Sequence, residues 1–227
     1  MSVAVTVDLR DQFGAVRDQG ARPTCLAFAV SDAHAALREC WDPLSCEYVF
    51  YHAQRRSGRS PNDGALLKDM LATLKNDGQP QEHGWPYLQK LPSDLSKYLP
   101  PASVGEIYGR EAEQPGHHLD IIRGALDQKK PAIVLSTLTN QFFKPPGDGV
   151  VVHDDLDLVF PAPRHAVIAV GYGEYANQPV ILIRNSWGPS WGMEGYIWLT
   201  EDYLRRHMYG LAVLEEECDV PSCTASA

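Results

Sequence analysis

The sequence predicts an α+β protein with a helical half followed by a strand-rich half. Apolar residues recur at helical spacing within 25–40 and 64–75, and Ser45 marks the capped start of a further helix between them. After Pro131 the pattern changes to short apolar runs, each bounded by Gly, Pro or Asn, as expected for β-strands. Residues 76–101, rich in Pro, Gly and polar side chains, separate the two halves. This segregation of helices from strands predicts two lobes.

The individual elements follow from the same patterns. Alternation of apolar and polar residues predicts a strand over 3–9. The helical stretches are 25–40, 45–56, 64–75 and, in the second half, 118–128. The strand-like runs are 132–138, 149–152, 166–170, 180–183, 196–199 and 211–214.

The bulk composition excludes several classes of protein. The 227 residues are 44% hydrophobic and 22% charged, with a net charge of −9. A nucleic-acid-binding surface requires a basic face, so this balance argues against a nucleic-acid partner. No apolar run approaches the roughly 20 residues of a membrane span, and residues 1–13 lack the features of a signal peptide. We expect a cytoplasmic protein, although a secreted protein or the mature domain of a longer chain fits the same observations.

The cysteines favour reduced thiols over a disulfide scaffold. They stand at positions 25, 40, 46, 218 and 223, and their odd number leaves at least one unpaired. No Cys/His pair at zinc-ligand spacing accompanies Cys218 and Cys223, so we expect neither a metal nor another cofactor. We interpret residues 215–227 as a loosely attached acidic tail in which these two thiols could form a disulfide.

The helix that begins at Cys25 is the feature around which the chain is organised. A polar Gly/Pro loop precedes it, and Thr24 is a suitable N-cap. In the first turn, the positive end of the helix dipole favours a thiolate over a thiol. Gln19, on the loop, could direct an amide N–H to the same place. The alternative is a buried structural cysteine, because free cysteines are among the most buried residues.

Two further polar residues stand at the ends of apolar strands. His165 heads the run 166–170, and Asn185 follows the run 180–183. Adjacent antiparallel strands would let Asn185 select the imidazole tautomer, and Trp187 could cover that contact from water. A thiolate–imidazolium pair with Cys25 would then form a nucleophile, base and orienter. The alternatives are a structural histidine and a simple turn asparagine. Gln, Cys, His and Asn occur together in this order along the chain, each on the element that its role requires, and this weighs against both alternatives.

With these residues considered together, the chain resembles the papain (C1-type) family of cysteine peptidases. His165 follows Cys25 by 140 residues, within the family's usual spacing of about 130–150, and Asn185 falls slightly beyond it at 160. The matching segments are Asp18-Gln19-Gly20, Cys25-Leu26-Ala27-Phe28, His165-Ala166-Val167 and Asn185-Ser186-Trp187-Gly188.

The resemblance implies a fold and a set of roles. The expected fold is a papain-like pair of lobes, with a helical lobe over 12–104, an antiparallel β-barrel-like lobe over 1–11 and 105–214, and the active-site cleft between them. Cys25 would be the nucleophile, His165 the base and acid, Asn185 the orienter and Gln19 the oxyanion donor. The substrate would be bound by the apolar or small residues Gly64, Ala65, Leu66, Ala166 and Trp187.

The sequence also departs from the family pattern. The usual Cys-Gly-Ser-Cys-Trp is replaced by Arg22-Pro23-Thr24-Cys25-Leu26, so the upstream disulfide partner and the following Trp are lost. Arg164 precedes the histidine, where a cation could either lower the pKa of His165 or recruit an acidic substrate group. Only about 18 residues precede Gln19, so we expect no inhibitory pro-segment; either the enzyme is made active or a separate chain restrains it.

The predicted function is that of a cysteine peptidase acting on peptide or protein substrates. The expected reaction is hydrolysis through a thioester acyl-enzyme, by an endopeptidase with an apolar preference two residues before the cut. An acyl-transferring or amide-processing enzyme with the same nucleophile, and a non-catalytic binding module of papain fold, are the alternatives.

Overall fold

The computed structural model describes residues 2–220 and confirms the α+β fold. The helices are α1 (Cys25–Ala36), α2 (Cys46–Ser57), α3 (Leu67–Asn76), α4 (Leu119–Asp127), α5 (Asn140–Phe143) and α6 (Glu201–His207). The strands are β1 (Ala4–Asp8), β2 (Gln79–Pro80), β3 (Ile107–Glu113), β4 (Ala132–Thr137), β5 (Val150–Val151), β6 (Arg164–Tyr175), β7 (Gln178–Arg184), β8 (Tyr196–Thr200) and β9 (Met208–Cys218). The lobe boundaries given above remain a prediction.

Helix α1 is enclosed along its whole length. Every residue from Leu26 to Ala36 is buried, as expected for a helix of small and apolar residues between two layers. It ends at Ala36, four residues before the predicted end. The predicted capping by Thr24 is wrong, because its hydroxyl makes no bond to the first turn and lies instead 2.8 Å from the Tyr87 hydroxyl.

The other two helices of the first half differ in how they begin. In α2, the Ser45 hydroxyl accepts from the backbone N–H of Tyr48 at 3.1 Å, which confirms a capped start. The prediction that the third helix begins at Gly64 is wrong, since α3 starts at Leu67 and Leu66 has an extended backbone with ψ 137°. Residues 64–66 therefore remain outside the helix, next to the start of α1 in the cavity described below.

The strands form one mixed sheet of nine. Its order is β2-β3-β9-β4-β6-β7-β8-β5, with β1 added along β6. All pairings are antiparallel except β5 with β8. Strand β6 has a central position, because it pairs with β1, β4 and β7.

Strand β6 is buried on both faces, and this explains its unbroken apolar run. Ala166, Ile168 and Val170 pack into the cluster that contains α1. Val167 and Ala169, on the opposite face, pack into a second cluster with residues of α4 and α6. The first residues of β6 are thus held beside the N-terminal end of α1.

A buried ionic cluster joins α1 to the strand half. Asp32 of α1 accepts from Arg17 Nε at 2.8 Å and from Arg184 Nε, at the end of β7, at 3.0 Å. Arg184 also donates to the backbone carbonyls of Gly14 and Ala15. Since all of these charges are paired, the cluster fixes α1, β7 and the N-terminal segment relative to one another.

The prediction of a loose tail from residue 215 is wrong for its first residues. Strand β9 continues to Cys218. Its last residues are held by ion pairs, because Arg110 pairs with Glu217 at 3.0 Å and Lys130 pairs with Glu215. Cys218 is a free thiol, and its predicted partner Cys223 lies outside the described residues. Within residues 2–220, no helix combines the length and the hydropathy that a membrane span requires.

Candidate active site

Cys25 is the first residue of α1 and borders a cavity of about 270 Å³. Its side chain is partly buried and remains a free thiol. Burial raises the pKa of Cys25, while the backbone N–H groups of Ala166, Leu26 and Cys25 itself lower it. The start of α1 therefore provides hydrogen-bond donors to the sulfur, and these favour the thiolate as the sequence predicts, but burial has the larger effect on the pKa of Cys25.

His165 lies opposite, as the second residue of β6, and lines the same cavity. Its Nε2 lies 2.7 Å from Asn185 Oδ1. The same oxygen accepts from the backbone N–H of Ser186 at 2.8 Å, which identifies it as the acceptor end of the Asn185 amide. Nε2 must therefore carry the hydrogen, and Nδ1 of neutral His165 is the nitrogen with a free lone pair.

Aromatic side chains enclose the His165–Asn185 contact. The Trp187 ring lies 4.7 Å from the His165 ring, centroid to centroid, and Phe142 lies edge-on at 6.0 Å. Trp187 also stacks on Phe143 at 5.5 Å. Trp187 thus packs against the imidazole outside the cavity lining, whereas the other predicted substrate-binding residues line the cavity itself.

The two reactive groups share a cavity but are not hydrogen-bonded to each other among the contacts of residues 2–220. The sulfur of Cys25 lies close to the Ala166 amide, directly after His165 in the chain. Burial lowers the pKa of His165 to about 4, and its bond to Asn185 only partly offsets this. Burial thus favours a neutral thiol and a neutral imidazole, rather than the charged pair expected from the sequence.

The Gln19 amide is fixed at both ends. Its Nε2 donates to the Arg22 carbonyl at 2.9 Å, and its Oε1 accepts from the Ser186 hydroxyl at 2.7 Å. A primary amide has two N–H donors, so one remains for a ligand. The Tyr87 hydroxyl donates to the Gln19 carbonyl at 2.7 Å and thereby anchors the loop.

The predicted substrate-binding wall is assembled around the thiol. Gly64, Ala65, Leu66 and Ala166 line the cavity together with Cys25 and His165. Sequence reasoning missed Arg59, Leu67, Leu135 and Tyr209, which line it too. Leu135 and Tyr209 come from β4 and β9, so their contribution depends on strand pairing and has no local signal in the sequence.

No group of three or more His, Cys, Asp or Glu side chains within residues 2–220 is arranged to hold a metal ion. The side chains at the site supply a thiol, a nitrogen base with a fixed tautomer, and amide donors. This combination characterises enzymes that transfer acyl groups through a thioester.

Comparisons with known proteins identify the family. The family described as "Papain family cysteine protease" matches residues 3–216. Procathepsin L of Felis catus is 30% identical over 213 residues, which cover 88% of this chain and 60% of that protein. Cysteine proteinase 3 of Dictyostelium discoideum is 25% identical over 197 residues, covering 83% of this chain and 56% of that protein. The chain belongs to the papain family of cysteine proteases, and it spans less than two thirds of the length of these relatives.

Solved structures of related proteins support the same fold. Xylellain, a cysteine protease from Xylella fastidiosa, superposes with a TM-score of 0.73 at 22% identity, covering 93% of this chain and 87% of that one. Digestive procathepsin L 3 of Tenebrio molitor larval midgut gives a TM-score of 0.71 at 20% identity, covering 95% of this chain and 71% of that one.

Proposed function

We propose that this chain is a cysteine endopeptidase that hydrolyses peptide bonds through a thioester intermediate. The observation that carries the proposal is the fixed tautomer of His165, whose free Nδ1 belongs to a ring that lines the same cavity as Cys25. A base without a nucleophile, or a thiol sealed in the core, would not support this chemistry. Cys46 is such a sealed thiol, since it is fully buried.

The first half of the reaction forms the acyl-enzyme. The Cys25 proton passes to His165 Nδ1 as the sulfur attacks the substrate carbonyl. The negative charge that develops on the carbonyl oxygen is stabilised by the backbone N–H of Cys25 and the second N–H of the Gln19 amide. His165 then gives its proton to the leaving amine, the C–N bond breaks, and a thioester remains on Cys25.

The second half regenerates the enzyme. A water molecule loses a proton to His165 Nδ1 and attacks the thioester carbonyl, and the Cys25 sulfur leaves and recovers the proton. Throughout, Asn185 keeps Nε2 protonated, and its carbonyl oxygen stabilises the imidazolium that forms.

The residues along the cavity are proposed to bind an extended substrate. Gly64 to Leu66 lie outside α3, with Leu66 extended, so their backbone is available for strand-like pairing with a peptide. Ala65, Leu66 and Ala166 offer an apolar surface to the side chain of the second residue before the cut. Trp187 packs against His165 outside this cavity lining, and we assign it to contact with the residues after the cut.

The proposal is tested with Cys25→Ala and a matched control, Cys40→Ala, which removes an exposed thiol. Both variants and the wild type are treated with iodoacetamide and, separately, incubated with a denatured proteome, and mass spectrometry identifies labelled sites and new peptide ends. We expect labelling at Cys25 and new peptide ends from the wild type and Cys40→Ala, and neither from Cys25→Ala. A wild type that is inert at Cys25, or cleavage that survives in Cys25→Ala, would refute the proposal.

A further inference from the structure

Two arginines at the candidate active site lack an acidic partner. Arg59 and Arg164 both line the cavity that contains Cys25 and His165. Within residues 2–220, neither forms an ion pair with a carboxylate, whereas the buried Arg22 and Arg184 each pair with one. In a chain with a net charge of −9, two unpaired guanidinium groups at one small cavity form a local concentration of positive charge.

Each arginine is attached to a well-fixed part of the fold. Arg59 follows Gly58, the left-handed C-cap of α2, and its N–H donates to the Gln54 carbonyl at 3.0 Å. The buried Gln54 amide holds the same loop through the Ser60 and Asp63 carbonyls at 2.6 and 2.7 Å. Arg164 is the first residue of β6, paired with Thr137, and its guanidinium lies 5.3 Å from the Tyr209 ring centre.

Apart from Arg59, Arg164 and the titratable pair Cys25 and His165, the residues that line the cavity carry no charge. Its other described members are glycine, alanine, leucine and tyrosine, and none is acidic. A ligand side chain that fills the cavity would therefore contact apolar surface along its length and meet guanidinium groups. An aliphatic stem that ends in a carboxylate satisfies both surfaces, since arginine binds carboxylates through paired N–H donors.

We infer that Arg59 and Arg164 make this cavity select glutamate as the second residue before the scissile bond. The inference rests on the proposed peptidase function and deepens it, because an apolar wall alone would favour leucine over the charged glutamate, and only the two arginines reverse that order. Glutamate is favoured over aspartate since its longer stem covers more of the apolar wall. The two arginines are specificity residues and take no part in the proton transfers.

The test compares quenched fluorescent peptides that differ only at the second residue before the cut, which is Glu, Gln, Asp, Leu or Lys. The wild type should cleave the Glu peptide about tenfold more efficiently in kcat/KM than the isosteric Gln peptide, equivalent to about 1.4 kcal/mol. Raising the salt from about 0.1 M to about 1 M, where the Debye length falls from about 10 Å to about 3 Å, should reduce this ratio.

The variants assign the effect to the two arginines. Arg59→Gln and Arg164→Gln should each lower the Glu/Gln ratio, and the double variant should bring it to about one. Lys129→Gln, which removes a cation outside the cavity lining, should keep the wild-type ratio. Binding of the Glu and Gln peptides to Cys25→Ala, followed by fluorescence anisotropy, gives the same comparison without turnover.

The outcomes separate this inference from the proposed function. If the wild type cleaves the Leu or Gln peptide in a Cys25-dependent manner without preferring Glu, the peptidase stands and the specificity inference fails. The inference also fails if the Glu preference survives in the double variant. If none of the peptides and no protein in a denatured proteome is cleaved, the peptidase proposal itself fails.

Discussion

At the scale of single residues, the site depends on side chains whose hydrogen bonds leave them only one orientation. Asn185 Oδ1 accepts from both Ser186 N–H and His165 Nε2, and this sets the protonation pattern of the imidazole. Gln19 is held in the same manner by Arg22 and Ser186. Such preorganised donors cost no rearrangement when charge develops in the transition state.

The first residue-scale prediction concerns Gln19. Replacing it with Ala removes one of the two donors proposed to stabilise the oxyanion, so kcat should fall about 10²-fold with little change in KM. Steady-state kinetics on a fluorogenic peptide measure both constants. Gln89→Ala serves as the control, because the exposed Gln89 contacts the Asp18 carbonyl of the same loop but does not line the cavity.

A kcat for Gln19→Ala within about threefold of the wild type would contradict the oxyanion role, provided that thermal unfolding shows the variant to be folded. Since the Gln19 amide also anchors Ser186, a second variant, Ser186→Ala, separates support from catalysis. We expect Ser186→Ala to lower kcat less than Gln19→Ala does, because the amide still donates to Arg22.

At the residue scale, the sequence predicted the local context of the candidate site residues, whereas their catalytic roles stay predictions. Cys25 stands at a helix start, His165 at the head of an apolar strand and Asn185 after the next one, and these contexts are visible along the chain. Tyr87, Ser186 and Tyr209 were not predicted as parts of the site, because each acts through contacts made across long sequence separations. No periodicity marks a residue for such contacts.

At the scale of elements, a buried ion pair stands where the family pattern has its upstream cysteine. Arg22 donates from Nη1 and Nη2 to the Glu47 carboxylate of α2 at 2.6 and 2.9 Å. Glu47 has no solvent exposure and also accepts from the Leu88 N–H and the Tyr98 hydroxyl. The pair therefore links the loop before Cys25, α2 and the segment that follows α3.

Removing one partner of this pair should destabilise the protein strongly. Glu47→Gln leaves the buried Arg22 guanidinium without a counter-charge, so the free energy of unfolding should fall by about 3–5 kcal/mol. Urea denaturation followed by circular dichroism measures the change, and an unchanged m-value would show that compactness is preserved. The control is Asp202→Asn, which breaks an exposed i,i+4 pair with Arg206 and should cost less than about 1 kcal/mol. Equal losses in the two variants would contradict this account.

Elements with a strong periodic pattern were predicted, and those without one were missed. The capped start of α2 and the apolar runs of β4, β7 and β8 placed those elements within a few residues. Strand β3, with sequence Ile-Tyr-Gly-Arg-Glu-Ala-Glu, does not alternate cleanly, and it is ordered by its pairing with β9. Helix α6 was missed because its seven residues are too few to display a helical period.

At the scale of the whole molecule, the core holds buried imidazoles as well as apolar side chains. His34 of α1 is fully buried, with Nδ1 3.4 Å from Gln79 Oε1. Burial, reinforced by the charge of Arg110, lowers the pKa of His34 to about 3. Burial likewise lowers the pKa of His165 to about 4. Both side chains are therefore neutral in the folded protein at any pH above these values.

The lowered pKa values of these two histidines predict that the folded protein loses stability in mild acid. In the unfolded chain each titrates near its usual pKa of about 6.5, so below that pH the unfolded state binds protons that the folded state does not. Stability should be insensitive to these groups above about pH 6.5 and should fall as the pH drops from there towards about 4. Each group contributes a slope of up to about 1.4 kcal/mol per pH unit.

The variant that tests this is His34→Gln, with the exposed His118→Gln as its matched control. Urea denaturation at pH 7, 6 and 5, each at constant ionic strength, gives the free energy of unfolding as a function of pH.

His34→Gln removes one group whose pKa differs between the folded and unfolded states. The free energy of unfolding of this variant should therefore decline less steeply with falling pH than that of the wild type, however much stability the substitution costs at pH 7. His118→Gln should follow the wild-type slope, because it changes an exposed side chain and leaves the buried His34 and His165 in place. Identical slopes for the wild type and His34→Gln would contradict the role given to His34, and any remaining acid sensitivity would then have to arise from other groups such as His165.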